Sequence, residues 1–136
     1  MEPDAPVHYL LRLAFQEKGM FDDAFRAAQK EFAFKKYSID EIEEVKREYA
    51  ASGYKGLLAL ELKLEKERSK RAFIDSIEFA RLCSVLGQKD EAFRWLAKAY
   101  EAREDGLIWL KVDPRYDNLR SDPRFSALLE RVGLHQ

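Results

Sequence analysis

Apolar residues recur along this chain at helical rather than strand spacing. Val7, Leu10, Leu11 and Ala14 form one set, Ile39, Ile42, Val45 and Tyr49 a second, and Phe73, Ile77, Ala80 and Cys83 a third. Within each set the steps of three and four place the side chains on one face of a helix. Each set runs into a glycine, Gly19, Gly53 or Gly87, and these glycines stand 34 residues apart. Beyond each glycine a second helical set begins: Ala24, Phe25 and Ala28; Leu57, Leu58 and Leu62; Ala92, Phe93, Leu96, Ala99 and Tyr100. A glycine ends a helix cheaply through positive φ, so the pattern predicts three helical hairpins over 5–37, 38–71 and 72–105. Residues 58–64 (LALELKL) alternate apolar and polar like a strand. They contain only good helix formers and no β-branched residue, so the same reading keeps them helical.

Boundary residues agree with this division. Ser38 followed by Glu41 makes a capping box, which starts the third helix near Ile39. The tail repeats D-P-R-aromatic-x-x-L at 113–119 and 122–128; each Asp is an N-cap and each Pro a first helical residue, whose missing N–H costs nothing there. Two short helices are therefore expected, the last ending near Gly133. Leu107, Ile108, Trp109, Leu110 and Val112 just before them are expected to be buried, making 106–136 a cap that seals an open array. Lys36, Lys70 and Glu104 occupy the junctions between hairpins, so helices that run on or kink are compatible with these places.

Composition narrows the picture. With 136 residues the chain is sized for one domain, and 46% hydrophobic and 36% charged residues suit a globular helical protein. A formal net charge of -1 provides no global field for nucleic acid or anionic lipid. One cysteine, Cys83, rules out an internal disulfide and fits a reducing compartment. No apolar run approaches the ~20 residues of a membrane span. The start MEPDAPVHYLLR carries acid where a secretory signal carries base, so a cytoplasmic protein is expected.

Candidate chemistry is sparse. His8, His135 and Cys83 are the nucleophile or base candidates, and no triad or Cys–His spacing joins them. Cys83 on an apolar face behaves as a small hydrophobe. Asp22/Asp23 and Asp90/Glu91 fall in expected first helical turns, where the dipole favours negative charge, and Glu43/Glu44 is the third such pair. Glycine-rich phosphate loops and HExxH are absent from the sequence. The basic run KLEKERSKR at 63–71 includes Glu65 and Glu67 and ends a helix, so it reads as a solvated helix end rather than a phosphate-binding patch. Trp95, Tyr100 and Trp109 read as core. No catalytic residue, cofactor or metal site is expected.

A 34-residue helix–turn–helix period resembles the tetratricopeptide repeat (TPR) family. The third repeat carries the resemblance best: Phe79, Ala80, Leu86, Gly87, Ala92, Leu96 and Ala99 match that family's aromatic, small and turn positions. The first keeps Leu11, Phe15, Gly19, Ala24 and Ala28 but has Arg12 at a small-residue position. The second keeps Val45, Tyr49, Gly53 and Leu62, with Lys46 and Leu58 replacing small residues. Residues 87–134 are also similar to the C-terminal ends of repeat arrays in bacterial winged-helix transcriptional regulators and some bacterial protein kinases.

The resemblance implies an all-α superhelix of three TPR-like pairs and a capping pair within a single domain, 1–136. It implies a non-catalytic scaffold that binds a partner peptide or helix in a concave groove, with no direct nucleic-acid or membrane role. By register the groove residues are Tyr9 and Leu13, Glu43 and Arg47, Ile77 and Arg81. Arg47 and Arg81, one repeat apart, are then expected to project in parallel about 10 Å apart and to suit an acidic or phosphorylated segment. The competing expectation for Arg47 is neutralisation by Glu43 across one turn. The Lys and Asn pattern with which some family members clamp a C-terminal carboxylate is missing. The alternatives are a sensory or regulatory segment of a bacterial transcriptional regulator and, third, a small hydrolase.

Overall fold

The computed structural model describes residues 5–134, with side chains from His8 onward, and these residues are helical with no strand among them. In order come α1 (Ala5–Glu17), α2 (Phe21–Phe34), α3 (Ile39–Arg68), α4 (Ser76–Val85) and α5 (Lys89–Glu101), then two 3₁₀ segments (Asp105–Trp109 and Pro114–Leu119), and α6 (Pro123–Arg131). Among the described residues no helix is long and apolar enough to cross a membrane. Contacts divide the chain into two compact units, Met1–Leu60 and Glu61–Gln136, with the division falling inside α3.

In the first unit α1 and α2 pack as a hairpin closed by Gly19. Gly19 sits at φ 73°, and the N–H of Met20 donates to the Phe15 carbonyl at 2.9 Å, the six-to-one bond that ends a helix on a left-handed residue. The capping box forms as expected: Ser38 N–H donates to Glu41 Oε1 at 2.8 Å and Glu41 N–H to Ser38 Oγ at 3.1 Å. Within α3, Gly53 has φ 73° and ψ -166° and splits the helix into stretches 39–52 and 54–68. Gly56 is needed beside it, because a Cβ there would lie 2.3 Å from Ser52 Cβ. Ala24, Ala28, Phe32, Val45 and Leu57 form the sealed interior. Phe25 stacks on Tyr49 and Phe21 on Tyr54 at its edge.

One face of this unit is the reverse of the expectation. Leu10 is 61% exposed and Leu11 44% exposed, and Ala14 is also exposed, while His8 and Arg12 are buried; the Val7 side chain lies outside the described residues. Arg12 Nη1 donates to Glu31 Oε1 at 2.7 Å and Arg12 Nε to the Tyr54 hydroxyl at 2.9 Å. Its guanidinium lies over the Phe32 and Tyr54 rings, and Tyr54 in turn donates to Gln16 at 2.6 Å. A buried, ion-paired cation and two rings therefore pack beneath α1, and the helix is turned so that Leu10 and Leu11 face outward.

In the second unit α4 and α5 form a hairpin closed by Gly87 with the same turn, Gln88 N–H donating to the Cys83 carbonyl at 2.9 Å. Ala80, Cys83, Ala92, Leu96 and Ala99 are fully buried, and Phe79 stacks on Trp95. Phe73, expected on the core face, is 85% exposed, because α4 begins only at Ser76. Its first turn is held by Glu104, whose carboxylate accepts from the N–H groups of Ser76 and Ile77, both at 2.9 Å.

The tail completes this core with a period of three. Leu107, Leu110, Asp113, Tyr116 and Leu119 are all buried, because the two 3₁₀ segments repeat every three residues and eclipse i with i+3, and the turn between them keeps the same i to i+3 bonding, Val112 N–H donating to the Trp109 carbonyl. The same geometry leaves Ile108, Trp109 and Val112 at 62%, 55% and 66% exposure, contrary to the expected burial of that whole run. Asp113 and Asp122 cap as expected, each accepting from the N–H two residues on at 2.9 Å. The junction at Lys36 is not a continuous helix: Lys36 and Arg103 adopt φ 66° and 54° and end α2 and α5 as glycine ends α1.

Candidate functional site

The six groove residues fall into two groups with opposite environments. In the first unit Tyr9 and Leu13 are half-buried on α1, and Glu43 and Arg47 are exposed on the first stretch of α3. Glu43 turns to Lys46, 3.5 Å away across one helical step. Its neutralisation of Arg47, the competing expectation, does not occur, and among the described residues Arg47 has no ion-pair partner. It remains a solvated cation on a helix anchored by the capping box below it and by the buried Val45 beside it.

In the second unit Ile77 and Arg81 are not open. Ile77 is 2% exposed, and Gly106 approaches it so closely that a Cβ there would stand 3.0 Å from Ile77 Cγ2. The Arg81 side chain is 11% exposed and lies between two carboxylates, Glu78 at 3.0 Å and Asp113 at 3.7 Å. Ser84, one turn on, is tied to the same tail: its hydroxyl donates to the Arg115 carbonyl at 2.7 Å, and Asn118 Nδ2 donates to the Ser84 carbonyl at 2.8 Å. The α4 face assigned to a partner is thus covered by the chain's own residues 106–118. Arg81 serves Asp113 there, as does Arg115, whose Nη2 lies 2.6 Å from Asp113 Oδ2.

Electrostatics around this cluster follow from its dryness. Burial pushes the Asp113 carboxyl above its ordinary range, against the pull of the Arg115 N–H and of Arg81. Burial likewise raises the Tyr116 phenol to about 12 and lowers Arg115 to about 10. Asp75, at the start of α4, is raised by burial and by the nearby carboxylates of Glu104, Glu78 and Asp105. The surroundings of Arg81 are therefore acidic, and they consume its charge rather than presenting it.

The nucleophile candidates stand apart. His8 is buried in the first unit, and Cys83 is fully buried in the second, where burial pushes its thiol up against a lowering influence from Lys66; His135 lies outside the described residues. No group of three or more His, Cys, Asp or Glu among the described residues is placed to hold a metal ion. In the 63–71 run, Lys63, Lys66, Lys70 and Arg71 are solvated, whereas Glu65 is buried and lies 3.7 Å from Arg68.

Two surfaces were missed by reading the sequence: the outward leucines of α1, and the exposed Ile108, Trp109 and Val112. For the second the signal was present as the three-residue spacing of Leu107, Leu110, Tyr116 and Leu119. Comparison with protein-family models, curated proteins and solved structures returns no match for this chain.

Proposed function

We propose that the chain is a non-catalytic interaction scaffold of TPR-like helical hairpins that captures an acidic segment of a partner protein, with Arg47 as the charged anchor. The observation that carries this reading is the contrast between two arginines one period apart. Arg81 is enclosed and paired with Glu78 and Asp113, while Arg47 is exposed and its nearest candidate, Glu43, is engaged by Lys46. A guanidinium left in water beside a helix holds a carboxylate or phosphate through two parallel hydrogen bonds. The half-buried Tyr9 and Leu13 of the same unit supply apolar contact for a peptide or helix.

The test is an array of acidic and phosphorylated peptides probed with the full chain and with Arg47→Ala. Capture that falls at least ~10-fold in the variant, with an unchanged melting temperature, supports the reading, since a charge-assisted pair is worth about 1.5–3 kcal/mol. Capture that survives Arg47→Ala, or no capture by the native chain, overturns it.

A further inference from the structure

We propose that α3 has two forms with Gly53 as the hinge between them: bent in the single chain, and straight in a pair of chains that have exchanged residues 1–52. The observation behind this is a contrast between three glycine turns. At Gly19 and Gly87 a second non-helical residue follows the glycine, Met20 at φ -88° and ψ 71° and Gln88 at φ -87° and ψ 74°. In α3 the departure is Gly53 alone, and the chain is helical on either side of it. Returning that one residue to ordinary helical angles joins the two stretches into a single helix of 30 residues.

Both glycines of the bend serve only the bent form. Gly53, at φ 73° and ψ -166°, occupies a backbone region essentially confined to glycine, and a Cβ on Gly56 would lie 2.3 Å from Ser52 Cβ. In a straight helix neither restriction holds, because residues four apart keep their Cβ atoms about 5–6 Å from one another, and alanine is there the better residue. The contacts that straightening breaks are also defined. Phe25 and Asp22 hold Tyr49, so the α1–α2 hairpin stays with the stretch before the hinge. Beyond the hinge the buried Tyr54 accepts from Arg12 Nε, donates to Gln16 and stacks on Phe21. A straight α3 withdraws Tyr54 from these three residues of its own chain, and a second straight copy supplies the same three. The exchanged pair therefore closes on itself with contacts the single chain already makes, and a short, strained hinge favours such exchange. It does not depend on the capture of an acidic segment by Arg47.

Refolding of the full chain from urea at low micromolar and at near-millimolar concentration, followed by sedimentation velocity, tests the proposal. The native chain is expected to refold as one copy at the low concentration and in part as a two-copy species at the high one. On dilution that species is expected to last as long as the chain takes to unfold, because residues 1–52 have to leave one partner before they return to the other. Gly53→Ala with Gly56→Ala is expected to pair at a concentration at least ~100-fold lower, since each alanine opposes the bend and favours the helix. Gly56→Ala alone, expected to lower it ~10-fold, serves if the double change does not fold, with circular dichroism as the check. Gly19→Ala, at a turn of two non-helical residues, is expected to leave the mass unchanged. A native chain of one-copy mass after refolding at the high concentration, hinge variants that pair no more readily than the native chain, or a pair that disperses at once on dilution overturns the proposal.

Discussion

Arg12 and Glu31 face one another across 2.7 Å from adjacent helices, their side chains only 9% and 6% exposed. The pair determines which way α1 faces. Breaking such a pair strands a charge without water. Arg12→Ala or Glu31→Ala is therefore expected to destabilise the first unit by about 3–5 kcal/mol. The double change Arg12→Met with Glu31→Leu should recover most of that loss, because no unpaired charge remains. Urea unfolding of the three variants measures the difference, and singles no worse than the double would contradict it.

Gly53 and Gly56 make the second prediction. At φ 73° and ψ -166° Gly53 occupies backbone space that residues with a Cβ enter only at about 1–3 kcal/mol, and a Cβ on Gly56 would collide with Ser52. Gly53→Ala and Gly56→Ala should each lower the denaturation midpoint. Gly19→Ala is expected to cost less than Gly56→Ala, since nothing lies within 4 Å of the Cβ it would add and only the left-handed backbone opposes it.

Lys36 and Arg103 end their helices in the left-handed conformation that glycine adopts at Gly19 and Gly87. A side chain there costs about 1 kcal/mol or more, offset partly by the greater freedom of glycine when unfolded. Lys36→Gly and Arg103→Gly should each raise stability by up to about 1 kcal/mol, read as an increase in melting temperature. A decrease would show that these side chains hold something the helix ends need.

The alkaline limb has a specific reporter. The Tyr49 hydroxyl donates to Asp22, and that bond, with burial and the charge of Asp22, raises the phenol from 10.0 to about 12. Because the folded value lies above the unfolded one, the stabilisation is fully present below pH 10 and is lost as pH rises through about 12. Ultraviolet difference titration of the native chain against Tyr49→Phe should show a tyrosine ionising near the upper end of that window. Asp22→Asn should move this step down; a Tyr49 step already near 10 in the native chain would exclude the bond.

The α1–α2 and α4–α5 hairpins and their turns were legible because they depend on local physics: a glycine that tolerates positive φ, a serine and a glutamate three apart, an aspartate before a proline. Ala80, Ala92 and Ala99, placed by helical spacing on the apolar faces of α4 and α5, are fully buried there. Arg12 misled because its cost depends on Glu31, Phe32 and Tyr54, which sequence spacing alone does not bring to it. Once it turned inward, the apolar pattern of α1 pointed the wrong way. Arg81 misled for a similar reason: its carboxylate, Asp113, arrives from 32 residues on along the chain, within a tail whose 3₁₀ period of three differs from the helical period used to read it.

The ties between Ser84 and residues 115–118 also set an order of events during synthesis. When the ribosome has released only as far as Glu101, the α4–α5 hairpin is complete in sequence, yet Ile77 and Ser84 lack the cover that Gly106, Arg115 and Asn118 later give them. Contacts of this sequence separation close late, after the entropy of the intervening loop has been spent. The second unit therefore passes through a nascent stage with an apolar face in water. That stage ends when Tyr116 and Leu119 emerge to fill the core.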